Sequence, residues 1–317
     1  MNPAPASLFY QLKTRLKKLG AECRIISVDH IPELESEYKL SLSNLNAHNK
    51  FIRESMQNYI DFSVAEKYPE IRSLIVIATP SSEVEVKLNC RGKIHYFKIP
   101  PHYSDRLKIN RDIKNITSQI IEANGYQTFP VVLPKKLLAV HSGLAKYGKN
   151  NIAYVPGMGS YHRLTAFASD LQCDDDSWKD LQILEKCSSC KACQINCPTG
   201  AIGSDQFMIK TERCLTHFNE HLGPFPEWVD PKSHNSIIGC IRCQSVCPEN
   251  MKYKSAAATD VAFSRTETNL ILNETPFEEL PEKLQLKINH LSLQHYYKNL
   301  SRNIMVLIEN EVNKTPI

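Results

Sequence analysis

The chain has 317 residues, enough for about two domains with proper cores, and 42% of them are hydrophobic against 23% charged. That is the balance of an ordinary soluble protein; there is no low-complexity tract, and the longest purely apolar run, Leu74 to Ala78, is far too short to span a bilayer. A net charge of +4 permits an anionic partner such as a nucleic acid without demanding one.

The N-terminus (M-N-P-A-P-A-S) lacks the basic-then-apolar order of a secretory signal, and eleven cysteines fit a reducing compartment, so a cytoplasmic protein is expected. Residues 7–19 predict an amphipathic helix: Ser7 can cap it, Leu8, Leu12, Leu16 and Leu19 share a face, and Gly20 stops it. Its polar side carries Lys13, Arg15, Lys17 and Lys18, which reads as a solvated face. Arg24 to Val28 is a short strand, residues 33–66 are mostly helical, and Arg72 to Thr79 is a strand apolar on both faces. A hairpin follows, with Val84, Val86 and Leu88 alternating with charges, a turn at Cys90-Arg91-Gly92, and a return through Ile94, Tyr96 and Ile99.

Next come a helix from about 105 to 123 ended by Asn124-Gly125, a strand from Thr128 to Leu133, and a helix from Pro134 through Tyr147. Asn151 to Val155 and Tyr161 to Ala168 are two more strands around the turn P-G-M-G-S, and Asp174-Asp175-Asp176 marks an exposed joint. The fold class expected is α+β, with a mixed α/β domain over 1–175, a ferredoxin-like module over 176–260 and a helical segment over 261–317.

The cysteines organise the second half. Cys187, Cys190, Cys193 and Cys197 stand at two-, two- and three-residue gaps with Pro198 closing the run, which is the bacterial [4Fe–4S] signature. Two intervening residues let a tight loop aim successive thiolates at three corners of one cube, while the fourth cysteine reaches a second cluster. Cys214, Cys240, Cys243 and Cys247 before Pro248 repeat the pattern with its members spread out. Applying the crossing rule twice gives one set of Cys187, Cys190, Cys193 and Cys247 and another of Cys197, Cys214, Cys240 and Cys243. Zinc ribbons also use C-x₂-C pairs, but zinc asks for neither the third cysteine nor the repeated C-P ending. Cys23, Cys90 and Cys173 fall outside the pattern and read as buried thiols. The H-x-x-E-H at His217, Glu220 and His221 matches an inverted zinc-protease motif, but it sits between cluster ligands and has no obvious third ligand.

The region from Cys187 to Pro248, with P-T-G-A-I after the first run, resembles the double-cluster module of the epoxyqueuosine reductase family, whose cluster arrangement is shared with reductive dehalogenases. Upstream, H-S-G-L-A-K-Y-G-K-N-N-I and the G-S-Y at Gly159 to Tyr161 resemble that family's A-G-L-G-W-x-G-K segment and its following G-S-aromatic step. Downstream, N-L-S-R-N-I-M-V-L-I-E-N at 299–310 resembles its helix after the clusters. The resemblance implies a nitroreductase-like domain holding a cobalamin, two [4Fe–4S] clusters that pass electrons to it, and reductive conversion of tRNA epoxyqueuosine to queuosine or of a related substrate. It implies that Gly143, Gly148, Lys149, Asn150, Gly159 and Ser160 line the corrinoid, and that a low-potential donor of ferredoxin or flavodoxin type feeds a monomeric enzyme.

Departures accompany the likeness. The family carries V-D-S-A-P ahead of its A-G-L-G segment, and that aspartate resembles a proton donor; here the run is F-P-V-V-L-P-K-K, Phe129 to Lys136, with no carboxylate. P-P-H-Y-S-D replaces the family's G-R-D-Y-H, so Asp105, Tyr103 and His102 become the candidate acids. The family's longer members continue into a helical-repeat tail beyond the point where this chain reaches Ile317. The alternative expectation is an electron-transfer protein that uses the two clusters without a corrinoid.

Overall fold

A computed structural model describes residues 4–43, 59–104, 106–203, 209–253 and 257–312. Its strands are β1 (Glu22–Ser27), β2 (Ser73–Pro80), β3 (Val84–Cys90), β4 (Lys93–Ile99), β5 (Thr128–Pro130), β6 (Lys146–Tyr147), β7 (Ala153–Tyr154), β8 (His162–Ser169) and β9 (Ala257–Phe263). The chain folds as two units, one of Met1–Pro80 with Lys108–Cys190 and one of Ser81–Leu107 with Lys191–Ile317.

The first unit is built on a four-stranded sheet in the order β1-β2-β8-β5, every pairing antiparallel. Seven consecutive residues of β2, Ser73 to Thr79, are buried, as expected of a central strand covered on both faces. Helix α1 (Pro5–Lys17) lays Leu8, Leu12 and Leu16 into a core with Ile75 and Ile77, and each of those leucines is fully buried. Burying each is worth roughly 1.5–3 kcal/mol. Leu19, expected on the same face, is exposed, because the helix has ended at Lys17 and the chain turns at Gly20, φ 72°.

Helix α2 (Ile31–Ser43) begins the region expected to be helical; residues 44–58 of that region lie outside the described residues. Helix α3 (Arg106–Ile120) adds Ile109, Ile113 and Ile116 to the core around Leu8, Leu12 and Leu16. The strand expected over 128–133 pairs only through Pro130, since prolines at 130 and 134 leave little donor capacity for a ladder. Helix α4 (Lys135–His141) is shorter than the predicted run to Tyr147: Gly143, at φ 68°, ends it, and Lys146–Tyr147 instead pairs with Ala153–Tyr154. The acidic run at 174–176 is exposed, yet the chain beyond it is fastened to this unit, with Lys179 N–H bonded to the His141 carbonyl and Tyr147 N–H to that of Gln182.

In the second unit β3 and β4 form the predicted hairpin. Arg91 and Gly92 both have positive φ (53° and 80°), the two-residue turn whose twist matches the strands. On its other side β3 pairs in parallel with β9, a strand the sequence reading did not anticipate. This pairing takes the hairpin out of the expected 1–175 domain and puts it with the C-terminal helices. Those are α8 (Arg265–Leu272), opened by a Ser264–Glu267 capping box, α9 (Glu282–His290) and α10 (Tyr297–Val312). Three short helices of the same unit precede them in the chain, α5 (Ala192–Ile195), α6 (Leu215–Glu220) and α7 (Arg242–Ser245). The core here joins Val86, Leu88, Phe97 and Ile99 to Leu284, Ile288, Leu300 and Ile304. Cys23 and Cys90 are buried in the two cores, as expected; Cys173 is half-buried, and burial, reinforced by Asp176, holds its thiol up at about 11.

Candidate metal centre

The two cysteine runs fold alike. Cys193 lies on the one-turn helix α5 (Ala192–Ile195) and Cys243 on its counterpart α7 (Arg242–Ser245), and the two helices pack together. Each run closes the same way: the Cys197 N–H reaches the Gln194 carbonyl at 3.3 Å, and the Cys247 N–H reaches that of Gln244 at 3.3 Å. Pro198 and Pro248 follow, where a proline costs no hydrogen bond because the first amides of a turn have no internal partner. Cys214 caps α6 (Leu215–Glu220) from the loop before it.

Cys197 lies near Cys214 and Cys240. Burial above all, then the charge of Cys197, raises the Cys214 thiol. Burial likewise holds the Cys240 thiol up at about 11, with Cys214 and Cys197 adding to it. N–H groups point at the same sulfurs: Ala201 donates to Cys197 Sγ at 3.2 Å and Asn235 Nδ2 to Cys240 Sγ at 3.2 Å. Half-buried thiols that accept N–H donors suit thiolates that carry metal charge, since a coordinating thiol is deprotonated outright and its sulfur is then a strong acceptor. The donor set fits a cubane.

No three His, Cys, Asp or Glu side chains among the described residues converge on a single-ion site. In the H-x-x-E-H segment, Glu220 accepts the Tyr103 hydroxyl and His221 Nδ1 donates to the His217 carbonyl at 2.7 Å, so its side chains are engaged with the fold around Cys214.

The candidate acids fall in the second unit. Tyr103 is 3% exposed, and burial, with the Glu220 carboxylate, pushes its hydroxyl well above the usual phenol range. Its ring packs against Gly239, next to Cys240, and the His102 ring lies tilted against it with centroids 3.8 Å apart. Tyr103 is therefore wall material of the cysteine site. Asp105 lies outside the described residues.

The residues expected to line a corrinoid fall in the first unit on neighbouring turns. Gly148, Lys149 and Asn150 join β6 to β7, and Gly159 and Ser160 follow a bridge between Val155 and Gly159. Gly148 is dictated by its neighbour, since a Cβ there would sit 2.5 Å from Tyr154 Cε2; Asn150 Nδ2 donates to the Tyr154 hydroxyl at 3.0 Å. Both are thus spent inside the turn, which leaves half-buried Lys149 and the Gly159–Ser160 step as the groups that fit a ligand. Gly143 sits apart, at the end of α4. Sequence reasoning missed Glu220 as the Tyr103 acceptor, and also Asn235 and Gly239. The pairs Asn235–Cys240 and Gly239–Cys240 are close in sequence, but nothing in the cysteine spacing marks them.

Residues 186–250 match the family described as a 4Fe-4S double cluster binding domain. Among curated proteins, the epoxyqueuosine reductase of Escherichia coli is 34% identical over 128 residues, covering 40% of this chain and 32% of that protein. The epoxyqueuosine reductase of Bacillus subtilis is 30% identical over 118 residues, 37% of this chain and 29% of that protein. The matched stretch spans about a third of the length of these curated relatives. Among solved structures, epoxyqueuosine reductase from Streptococcus thermophilus superposes with a TM-score of 0.65 at 18% identity, covering 96% of this chain and 82% of that one. The chain is epoxyqueuosine reductase-like in sequence around its cysteines and in fold over nearly its whole length.

Proposed function

We propose that the protein is an iron–sulfur oxidoreductase that passes electrons through two [4Fe–4S] clusters to a corrinoid and reductively removes oxygen from epoxyqueuosine in tRNA. What supports this most is the double-cluster domain over residues 186–250, because two neighbouring clusters make a paired relay, and a relay needs an acceptor. A relative solved with an epoxyqueuosine-modified tRNA stem loop supports the choice of substrate. The corrinoid, when bound, would supply the reductive chemistry at its cobalt; the chain supplies wiring, orientation and a proton.

Lys149, Gly159 and Ser160 would hold it, with Gly143, Gly148 and Asn150 shaping the turns. His102 is our proton donor in preference to Tyr103, whose hydroxyl is committed to Glu220; an imidazole is the side chain that ordinarily titrates near neutral pH. Asp105 is the other acid in that stretch. The electron source would be a low-potential ferredoxin or flavodoxin type protein, and the enzyme would act as a cytoplasmic monomer; no helix among the described residues is long and apolar enough to cross a membrane.

The absence of a carboxylate from Phe129 to Lys136 favours a second reading, electron transfer to a partner protein without a corrinoid. Metal analysis of anaerobically isolated protein separates the two. About eight irons are expected from two cubanes, with one cobalt for the first reading and none for the second. Reconstitution with cobalamin and reductant should then convert epoxyqueuosine in tRNA, read by nucleoside mass spectrometry. Tight cobalamin binding with untouched tRNA would move the reading to another substrate.

A further inference from the structure

We propose that Asn235 sets the reduction potential of the cluster held by Cys197, Cys214, Cys240 and Cys243. This rests on the double-cluster domain and is independent of the corrinoid reading.

The side-chain amide of Asn235 is fixed from three directions. Its Oδ1 accepts the Ile241 N–H at 3.0 Å, while its Nδ2 donates to the Ser233 carbonyl at 2.9 Å and to Cys240 Sγ at 3.2 Å. These partners decide which end of the amide is which. A backbone N–H can meet only an acceptor and a backbone carbonyl only a donor, so the atom facing the sulfur is the NH₂ group. The loop that carries it is itself pinned: Asn219 Nδ2 and Ser236 Oγ both donate to the Gly239 carbonyl, at 2.6 and 3.1 Å, and Asn303 Nδ2 donates to the Ile237 carbonyl at 2.9 Å. The donor is therefore held against the sulfur by the fold.

Reduction adds one electron to a cluster, and part of that charge falls on the ligand sulfurs. A fixed N–H donor interacts more strongly with the more negative state, so it favours reduction and raises the potential. Removing it should make that cluster harder to reduce.

The test is a potentiometric titration of the full iron-loaded chain with dithionite, followed by electron paramagnetic resonance, in which each cluster gives a one-electron wave. Asn235→Ala removes the donor. Asn235→Asp keeps an acceptor for the Ile241 N–H but sets a carboxylate against the sulfur. In the alanine variant one wave should move down so that its reduced-to-oxidised ratio at fixed poise falls about tenfold, equivalent to about 59 mV for one electron. The aspartate variant should move it further. The second wave should stay in place, and Cys240→Ser should disturb the same wave that moved. The proposal is overturned if neither wave moves while iron stays at about eight, or if the shifted wave is the one Cys240→Ser leaves alone. Loss of about four irons in both variants would also overturn it, since Asn235 would then only bracket the ligand loop.

Discussion

Tyr103 occupies the space that a side chain on residue 239 would need. A Cβ on Gly239 would sit 2.7 Å from Tyr103 Cε2, and Gly239 holds φ at 63°, where non-glycine residues are strained. The Tyr103 hydroxyl meanwhile donates to Glu220, whose carboxyl is raised first of all by burial. A ring, a buried acid and a glycine thus form one wall beside Cys240. Gly239→Ala should cost about 1–2 kcal/mol for the backbone alone and about 1–3 kcal/mol more for the overlap. Thermal unfolding with a parallel iron assay checks this. A variant that keeps the melting temperature of the natural chain would show that the Tyr103 ring can move aside.

Removing a ligand should be read in iron. Substituting Cys197, Cys214, Cys240 or Cys243 with alanine should lower the iron content from about eight to about four, because each set closes one cubane. Cys23→Ala should leave it unchanged, for Cys23 is buried in the α1 core with no part in either set. Iron counting by a colorimetric assay on anaerobic samples decides it. Full retention of iron on loss of Cys197 would break the crossing arrangement.

A buried imidazole near the same site predicts a pH effect. His234 is 6% exposed, lies tilted against Phe225 with ring centroids 4.2 Å apart, and neither of its ring nitrogens has a hydrogen-bond partner among the described residues. Burial, then the Arg302 guanidinium, lowers its pKa from 6.5 to about 4. Between those values the unfolded chain binds a proton that the folded chain refuses, so stability falls as pH drops from 6.5 toward 4. His234→Leu should flatten that slope and stabilise the protein at neutral pH by about 1–3 kcal/mol, since an unpaired buried polar group is removed. Denaturant unfolding of both proteins across the window tests it; parallel curves would sink the claim.

These residues also mark how far the sequence could be read. The leucine spacing of α1, the apolar run of β2 and the Arg91-Gly92 turn are local signals, and the structure follows them. The C-x₂-C-x₂-C-x₃-C-P spacing carried the double-cluster module as well, because cysteine chemistry depends on a few bonds rather than on the rest of the fold. What was illegible depends on non-local pairing. The parallel partnership of β3 with β9 joins segments more than 150 residues apart in sequence and has no periodic signature on either one. Likewise, Tyr103 reads as a candidate acid in the sequence, whereas Glu220, 117 residues away, holds its hydroxyl.

The segment after the acidic run offers a last test, because the sequence marks that run as an exposed joint. Trp178 lies between two imidazoles, stacked on His30 with centroids 4.2 Å apart and planes at 2°, and on His141 at 4.4 Å and 7°. Each imidazole is anchored in turn: His30 Nε2 meets Asp176 at 2.7 Å, and His141 Nε2 meets Glu37 at 2.6 Å. His141 Nδ1 also donates to the Lys179 carbonyl at 2.6 Å, so the backbone beside the indole is tied down as well. Aromatic pairs of this kind contribute about 0.5–1.5 kcal/mol each beyond burial. Trp178→Ala should therefore destabilise the protein by about 1–3 kcal/mol, and Trp178→Phe by less, because a smaller ring can keep both stacks. Limited proteolysis should show faster cleavage between Asp176 and Leu184 in the alanine variant. If cleavage and unfolding both match the natural chain, the backbone bonds of Lys179 and Tyr147 hold that segment without the indole.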